Sequence, residues 1–426
     1  MDLNPIIRVY CEPYTYMERG MVINWHREES SDKLYYRKRG ETTWIEVNST
    51  TRSFPSSDVT VHRVVLDSLD SDTVYEFYFD DDGSTIYKFK TFSATPKAIN
   101  IVNVSDHQDF AEINNTISTN INTQIMATNP DLIVFNGDHM NCEGVVNATN
   151  TARWEGFMDM ICDVFVYDDN MMIPQIWTPG NHEVSPNYSG SNHTTPANYM
   201  VALFHRMVDQ STLRNSGSYG YFTAGSYLII FCPDAGEMVD YADQEQWWDD
   251  IYTLEGTKHK YALVYVHQNS HAFSVSYYAD SLRRGLTETF RSSWCERMQK
   301  FNIKFVHQGH LHIWFQTHPL IVDEDNPTGV RDDDNPQAIV YTGAGGWSDR
   351  GRDQEIIPSN NPLYPLLQDS YAKDEGLEKV YHFFYTRLER GKIVVNSIND
   401  QGDLLSDDYV RLIDEQKDQP IMFTNV

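Results

Sequence analysis

Short apolar segments that break into polar or glycine-rich loops constrain the fold of this chain more than any other feature. Segments such as "INIVNV" and "DLIVF" are rich in Val, Ile, Leu and Phe, which is typical of buried strands in an α/β sheet. Ligands of such sheets bind at the loops beyond the carboxyl ends of the strands. We therefore expect one rim of the sheet to collect the polar residues that follow five of these segments, namely Asp106, Asp138, Asn181, His267 and the pair His310 and His312.

These six residues combine two carboxylates, one amide and three imidazoles. Hard oxygen donors mixed with imidazoles are the ligand set of a hydrolytic site with one or two divalent metal ions. A lone His or Asp after a strand is more often a cap or a hydrogen-bonded turn residue. The complete series in chain order therefore carries the interpretation, and no single position does.

Charge and length limit the partners. The 426 residues allow two or three domains, and the net charge of −28 disfavours nucleic acid and anionic membranes as main partners. No apolar run approaches the roughly 20 residues of a membrane span, so we expect no membrane partner. The start, "MDLNPIIRVYCEPY", has neither a basic nor an apolar region and predicts no signal peptide. That fits an intracellular or virion protein, or a chain whose leader has been removed.

The five cysteines are scattered and show no zinc-binding or redox spacing. An odd number leaves at least one thiol free. Cys142 and Cys162 are a candidate disulfide pair, although sequence alone does not fix the connectivity of cysteines.

The chain divides into two regions with different patterns. Residues 1–95 contain short β-type runs separated by turn residues, such as "MVINWHRE" and "TVYEFYFD", which predict an all-β sandwich. From residue 96 to 426, strands alternate with helix-length segments, and the end of the chain predicts a terminal hairpin. The segments with helical pattern span 108–128, 151–165, 198–208, 243–254 and 286–302.

The motifs resemble those of the calcineurin-like metallophosphoesterases, and within them the purple acid phosphatase branch. The matching blocks are "SDHQ" (105–108), "NGDHMN" (136–141), "GNHE" (180–183), "VYVH" (264–267) and "GHLH" (309–312), followed by "YTGAGG" (341–346). The N-terminal region is similar to the fibronectin type III module that precedes the catalytic domain in plant-type members. The resemblance implies a fibronectin type III-like sandwich over residues 1–95. Residues 96–426 would then form an α/β metallophosphoesterase domain, a central β-sandwich flanked by helices.

The resemblance also implies a ligand set for two divalent metal ions. Asp138 would bridge the two ions, and Gly137 before it lets the backbone bend. One ion would be held by Asp106, Asp138 and His312, and the other by Asp138, Asn181, His267 and His310.

The implied activity is hydrolysis of small phosphorylated substrates, most simply phosphate monoesters as in acid phosphatases. A hydroxide between the ions would attack phosphorus, and His182 would act as general acid on the leaving group. One alternative is a phosphodiesterase that acts on nucleotides or phospholipid headgroups, since the same metal core serves both reactions. Another is a binding or virion-associated protein with a degenerate metal site. The family resemblance suggests a secreted or periplasmic protein.

The sequence departs from the family at two positions. The purple branch has a tyrosinate ligand three residues after the bridging Asp. This chain has Asn141 there, a candidate to support the ligands from behind or to contact the substrate. Other members have a His two residues after the first Asp, where this chain has Gln108, whose amide oxygen would be a weak, neutral ligand. Without tyrosinate there is no phenolate to stabilise Fe(III), so we expect Mn²⁺, Fe²⁺ or Zn²⁺.

Several neighbouring residues are further candidates for the site, and most of them have a structural role as the alternative. His139 directly follows Asp138 and is a candidate to support the ligands from behind. Arg350 could meet a substrate anion, with a solvated loop arginine as the alternative. Four aromatic residues could line the entrance or belong to the core: Tyr277, Tyr278, Trp314 and Trp347.

Overall fold

A computed structural model of the chain describes residues 6–28, 32–79, 85–108, 116–142, 145–183, 198–204, 218–235, 241–256, 258–347, 356–370, 380–405 and 409–412.

The N-terminal region is a sandwich of two antiparallel sheets. Its strands are β1 Ile7–Pro13, β2 Met21–Arg27, β3 Lys33–Lys38, β4 Ile45–Asn48, β5 Thr50–Ser53, β6 Thr60–Leu66, β7 Val74–Phe79 and β8 Tyr87–Lys90. They form one sheet in the order β1-β2-β6-β5 and another in the order β4-β3-β7-β8. Alternate residues of β7 are buried, as expected of a strand with one face on a core. The predicted all-β sandwich is therefore confirmed.

Two larger sheets build the second region. Their strands are β9 Ile99–Val104, β10 Leu132–Asn136, β11 Gln175–Thr178, β12 Gly220–Ala224, β13 Leu228–Cys232, β14 Tyr261–Val266, β15 Phe305–Gln308, β16 Phe315–Thr317, β17 Leu320–Ile321, β18 Val330–Arg331, β19 Val340–Gly343, β20 Leu367–Ser370, β21 His382–Glu389, β22 Lys392–Asn399 and β23 Tyr409–Leu412. The first sheet has the order β11-β10-β9-β21-β22-β23 and the second β12-β13-β14-β15-β19-β16-β20, while β17 and β18 form a small separate ribbon.

The helices are α1 Thr116–Ala127, α2 Ala148–Val164, α3 Asn198–Leu203, α4 Tyr241–Glu255, α5 Val275–Ala279 and α6 Ser281–Lys300, with a 3-10 turn at Tyr364–Leu366. This arrangement of two packed sheets with helices confirms the predicted α/β metallophosphoesterase architecture. The position of the domain boundary between residues 95 and 96 stays a prediction. Strand β8 ends at Lys90 and β9 begins at Ile99.

Parallel strands bring the polar loops to one edge. β9, β10 and β11 are parallel to one another in the first sheet, and β13, β14, β15 and β19 in the second. Every residue of β10 and β14 is buried, which explains their continuous apolar sequences. An apolar core that includes Val134, Leu263 and Phe384 lies between the sheets. The carboxyl ends of these strands therefore face the same side of the domain.

The predicted helices exist, with differences at their ends. α2 begins three residues before the predicted start because the Asn147 side chain caps it, accepting a hydrogen bond from Asn150 N at 2.9 Å. α6 begins at Ser281 and not at 286, and Asp280 Oδ1 accepts from Arg283 N at 3.2 Å in its first turn. α1 occupies part of the predicted 108–128 and α3 part of 198–208, and both predictions extend into positions outside the described residues. The terminal hairpin is formed by β21 and β22.

All five cysteines are free thiols, so Cys142 and Cys162 do not form the candidate disulfide. No helix among the described residues is long and apolar enough to cross a membrane.

Candidate metal centre

The predicted ligand loops meet at the carboxyl edge of the two sheets and are hydrogen-bonded to one another. The peptide nitrogen of Asp106, after β9, donates to the carbonyl of Gly137, after β10, at 3.1 Å. In the second sheet, Gly309 N donates to His267 O at 3.1 Å. His310 N donates to Asp106 Oδ2 at 3.0 Å and thereby ties the two sheets together. The loops therefore form one connected unit.

Five residues of this unit have a left-handed backbone although none is glycine. Their φ angles are 60° for Asp106, 46° for Gln108, 53° for Asp138, 68° for His310 and 53° for His312. Such residues cost on the order of 1–3 kcal/mol each and persist only where the surroundings fix them, which occurs preferentially at functional sites. The strain thus coincides with the predicted ligand positions.

Two glycines allow the loops to approach so closely. A Cβ on Gly180 would lie 2.3 Å from both Asp138 N and Asp138 Oδ1. A Cβ on Gly309 would lie 2.1 Å from Ser105 Oγ. Any larger residue at either position would push Asp138 or the GHLH loop out of place.

The side chains form two groups that share one carboxylate. Asp138, His267 and His310 offer donor atoms within 4.8 Å of one another, and so do Asp106, Asp138 and His312. Asn181 joins the first group, since its Oδ1 lies 3.3 Å from His267 Nε2. Carboxylate oxygens, an amide oxygen and imidazole nitrogens fit divalent ions such as Mn²⁺, Fe²⁺ or Zn²⁺. The structure therefore brings six of the predicted ligands together.

Gln108 lies at the same place with its amide nitrogen toward the site. Its Nε2 donates a hydrogen bond to Asp138 Oδ2, and its peptide nitrogen donates to His139 O at 3.1 Å. The amide is therefore within reach of the shared carboxylate. The use of its oxygen as a metal ligand stays a prediction.

Hydrogen bonds fix the tautomer of His267. Its Nδ1 lies 2.9 Å from the carbonyl of Asn136, so this nitrogen carries the proton and donates. Its other nitrogen, Nε2, lies 3.2 Å from Asp138 Oδ2 and is the atom that would bind a metal ion. His312 Nε2 lies 2.9 Å from Asp106 Oδ1 in the other group.

The charge states also suit cation binding. Burial alone would raise the pKa of Asp138, but nearby His267 and His182 outweigh it and hold this pKa well below its usual value. The pKa of Asp106 is likewise lowered, since His312 and His267 outweigh its burial. Burial, and to a lesser extent repulsion from the nearby His267, lowers the pKa of His310 to about 3. Two ionised carboxylates and a neutral imidazole are therefore present at neutral pH.

Glu183, for which the sequence predicted no role, organises the site. Its buried carboxylate accepts hydrogen bonds from Asp138 N at 2.8 Å, Gly180 N at 2.8 Å and Met140 N at 3.1 Å. It joins the loop after β11 to the loop after β10. Burial and the neighbouring Asp138 raise the pKa of Glu183 to about 8. Its place as the last residue of "GNHE" was the available signal.

Asn136 is a second residue that organises the site and for which the sequence predicted no role. Its Nδ2 donates to Val266 O at 3.1 Å and to His307 O at 3.0 Å, so it connects β10 with β14 and β15 across the two sheets. Its own carbonyl accepts the hydrogen bond from His267 Nδ1 at 2.9 Å. The first letter of "NGDHMN" was its only trace in the sequence.

His182 lies at the open side of the centre. Its peptide nitrogen donates to Asp138 Oδ1 at 2.8 Å, while its imidazole Nε2 stays 3.9 Å from Asp138 Oδ2. Its side chain is 26% exposed, whereas Asp106, Asp138 and His267 are buried. Its Nδ1 has no hydrogen-bond partner among the described residues. The imidazole is thus fixed at its base, and its ring is partly exposed and makes no hydrogen bond to Asp138.

The remaining candidates lie in different places. The ring of His139 turns into the core, where it packs against Trp154 and Trp177 and its Nε2 lies 2.9 Å from Thr178 O. The contact of His139 with the ligand loops is made by its carbonyl, which accepts a hydrogen bond from Gln108 N. Trp347, like Trp314, is buried, and its Nε1 donates to Asn122 Oδ1 at 2.9 Å.

Tyr277 is buried beside His310, and Tyr278 is half-buried. Asn141 is half-buried in the loop after Asp138. Arg350 lies outside the described residues. The roles of His139, Asn141 and Arg350 stay predictions.

Comparison with known proteins identifies the family. The model of the calcineurin-like phosphoesterases matches residues 99–314, half of the chain, and the model of the purple acid phosphatase N-terminal domain matches residues 8–91. The purple acid phosphatase PPD1 of yellow lupin (Lupinus luteus) seeds is similar in structure, with 14% identity, a TM-score of 0.74, and coverage of 97% of this chain and 76% of the lupin chain. GAP50, described as the anchor in the inner membrane complex of Plasmodium, aligns with 14% identity and a TM-score of 0.46 over 75% of this chain and 89% of its own. No curated protein matches the sequence. The chain therefore belongs to the calcineurin-like phosphoesterases, in their purple acid phosphatase-like branch, and is a metal-dependent phosphoesterase.

Proposed function

We propose that this protein hydrolyses phosphate monoesters of small molecules at a centre for two divalent metal ions. The observation that carries the proposal is the pair of donor groups that share Asp138, with donor atoms within 4.8 Å in each group. A carboxylate shared in this way is the arrangement that two-metal hydrolases use.

The chain's own residues divide the work. Asp106 and His312 would hold one ion, and His267, His310 and Asn181 the other, with Asp138 between them. When bound, such ions lower the pKa of water and neutralise the charge on phosphoryl oxygens. Glu183 and Asn136 keep the ligand loops in register through the backbone hydrogen bonds described above.

His182 is the proposed proton donor to the leaving oxygen. Its imidazole is partly exposed, and its peptide hydrogen bond to Asp138 fixes it relative to the ligands. A positioned general acid typically contributes 10²–10⁴-fold to the rate. His182 is 3.9 Å from Asp138, too far for a hydrogen bond, so its ring is not committed to the carboxylate.

The family branch supports monoesters over diesters. Residues 8–91 match the N-terminal domain of purple acid phosphatases, and the similar lupin protein bears that name. The test is the rate on p-nitrophenyl phosphate against bis(p-nitrophenyl) phosphate, with the purified protein loaded with Mn²⁺ or Zn²⁺. We expect a higher kcat/KM for the monoester, and a clear preference for the diester would contradict the proposal.

A further inference from the structure

We propose that Arg283, stacked on Tyr277, forms a subsite for a second anionic group on the substrate. The inference rests on the proposed function, because it assigns specificity at the same centre. It predicts that preferred substrates are small organic phosphates that carry an additional carboxylate or phosphate.

Tyr277 links Arg283 to the metal ligands. The Tyr277 ring, on the short helix α5, is only 8% exposed and meets the His310 ring edge-on, with centroids 5.1 Å apart at 84°. The guanidinium carbon of Arg283, in the first turn of α6, lies 4.6 Å from the centre of the Tyr277 ring. The two distances place the Arg283 guanidinium within about 10 Å of the His310 ring. That separation suits a compact molecule with phosphate at the metals and an anion at its other end.

His310 is also the more accessible ligand of its group. It is half-buried, whereas His267 and Asp138 are buried. Tyr277 contacts the ring of this accessible ligand, and Arg283 contacts the ring of Tyr277. The exposed guanidinium is therefore one aromatic ring away from the ligand group.

The Arg283 guanidinium is available to a ligand. Its side chain is 48% exposed, and its Nε is 3.8 Å from Asp280 Oδ2, too long for a hydrogen bond. Among the described residues, the structure records no other ion pair and no hydrogen bond of this guanidinium. The stacking on Tyr277 restricts the orientation of the planar fork, which reduces the entropy lost when it binds a carboxylate or phosphate.

Arg284 provides a contrast at the next position. Its Nη1 donates to Tyr278 O at 3.0 Å, and its Nε approaches Glu288 Oε1 at 3.8 Å. Its guanidinium is thus used within the helix corner. In a chain with a net charge of −28, an exposed cation within about 10 Å of the His310 ring is a local feature and not part of a general basic surface.

The test compares two phosphonates that differ only at the distal end. Phosphonobutyrate carries a carboxylate, and butylphosphonate ends in a methyl group. Their dissociation constants are measured by calorimetry on the Mn²⁺-loaded wild type, on Arg283→Gln and on the matched control Arg284→Gln. We expect the wild type to bind phosphonobutyrate more tightly than butylphosphonate. Arg283→Gln should raise the dissociation constant of phosphonobutyrate by about fivefold, the effect of losing an exposed ion pair, and leave that of butylphosphonate unchanged. Arg284→Gln should leave both constants unchanged.

Salt gives a second readout. Because the interaction is between exposed charges, the preference for phosphonobutyrate should shrink at about 0.5 M salt. A wild type without that preference would overturn the proposal. Equal weakening of both phosphonates in Arg283→Gln would also overturn it, since it would mean that Arg283 acts through the packing of Tyr277 on His310. Binding is measured without turnover, so a failure of the proposed monoesterase activity would be seen separately, in the p-nitrophenyl assays.

Discussion

Substitution of His182 by Ala tests the proposed proton donor without dismantling the metal centre. The His182 peptide nitrogen, which donates to Asp138 Oδ1 at 2.8 Å, is retained in Ala. The imidazole is 3.9 Å from the same carboxylate and makes no hydrogen bond to it. The variant should therefore keep its metal ions and lose rate.

The size of the loss should depend on the leaving group. An alkyl phosphate such as glycerol phosphate releases a strongly basic alkoxide and needs the proton, so we expect a loss of about 10²-fold or more in kcat/KM. That corresponds to about 2.7 kcal/mol of transition-state stabilisation. p-Nitrophenolate departs without protonation, so the loss for p-nitrophenyl phosphate should be at least about tenfold smaller.

The assay pairs phosphate release from both esters with metal analysis of the same preparation. Asn181→Ala is the neighbouring control, because Asn181 Oδ1 lies 3.3 Å from His267 Nε2 within the predicted ligand group. That variant should lose metal and slow both esters alike. Equal losses for the two esters in His182→Ala would refute proton donation and indicate charge stabilisation. Loss of metal from His182→Ala would indicate a structural role instead.

Three further outcomes follow from the same geometry. Asp138→Asn should remove activity and most of the bound metal together, because both donor groups share this carboxylate. Metal analysis and turnover of p-nitrophenyl phosphate measure the two losses, and full metal content in the variant would contradict a bridging role of Asp138. The metal-loaded protein should be nearly colourless, because Asn141 occupies the tyrosinate position, and a strong visible band would show that another phenolate reaches the metal. His307 is buried with its pKa lowered to about 3, so the unfolded chain binds a proton below about pH 6.5 that the folded chain does not. Stability of the metal-free protein should therefore fall as the pH drops from 6.5 toward 3. Between pH 6.5 and 4.5, the free energy of unfolding measured with urea should fall by about 2–3 kcal/mol less in His307→Gln than in the wild type. An equal fall in both proteins would refute the conclusion that His307 stays uncharged in the folded chain.

The ligand positions could be predicted from the sequence because each follows a recognisable buried strand. Asp106, Asp138 and His267 come within two residues of the ends of β9, β10 and β14, and parallel strands deliver such residues to one edge. The start of α6 could not be placed in the same way. The predicted start at residue 286 was wrong, because Gly285 lies inside the helix with open space around it, where glycine is tolerated at a cost of about 1 kcal/mol.

The direction of individual side chains could not be predicted within the loops. In a regular strand, successive side chains alternate between the two faces, and that rule fails where the backbone becomes left-handed. Asp106, with φ of 60°, faces the centre, whereas His107 turns into the core against Phe157 and Trp347. His139 behaves in the same way after Asp138. A histidine beside a ligand is therefore no guide to the site until the backbone is known.

The left-handed residues also explain why the centre needs Glu183 and the close glycines. Five non-glycine residues at positive φ cost at least about 5 kcal/mol together, and protein groups must offset that cost. Glu183 does so for the Asp138 loop by accepting three peptide N–H groups, each of which would otherwise be buried unpaired at about 1–3 kcal/mol. Gly180 makes this arrangement possible, since a Cβ there would collide with Asp138 itself. The four residues of the "GNHE" block therefore have four separate roles. Its glycine admits the shared carboxylate, its Asn joins the ligand group, its His lies at the open side, and its Glu holds the strained loop in place.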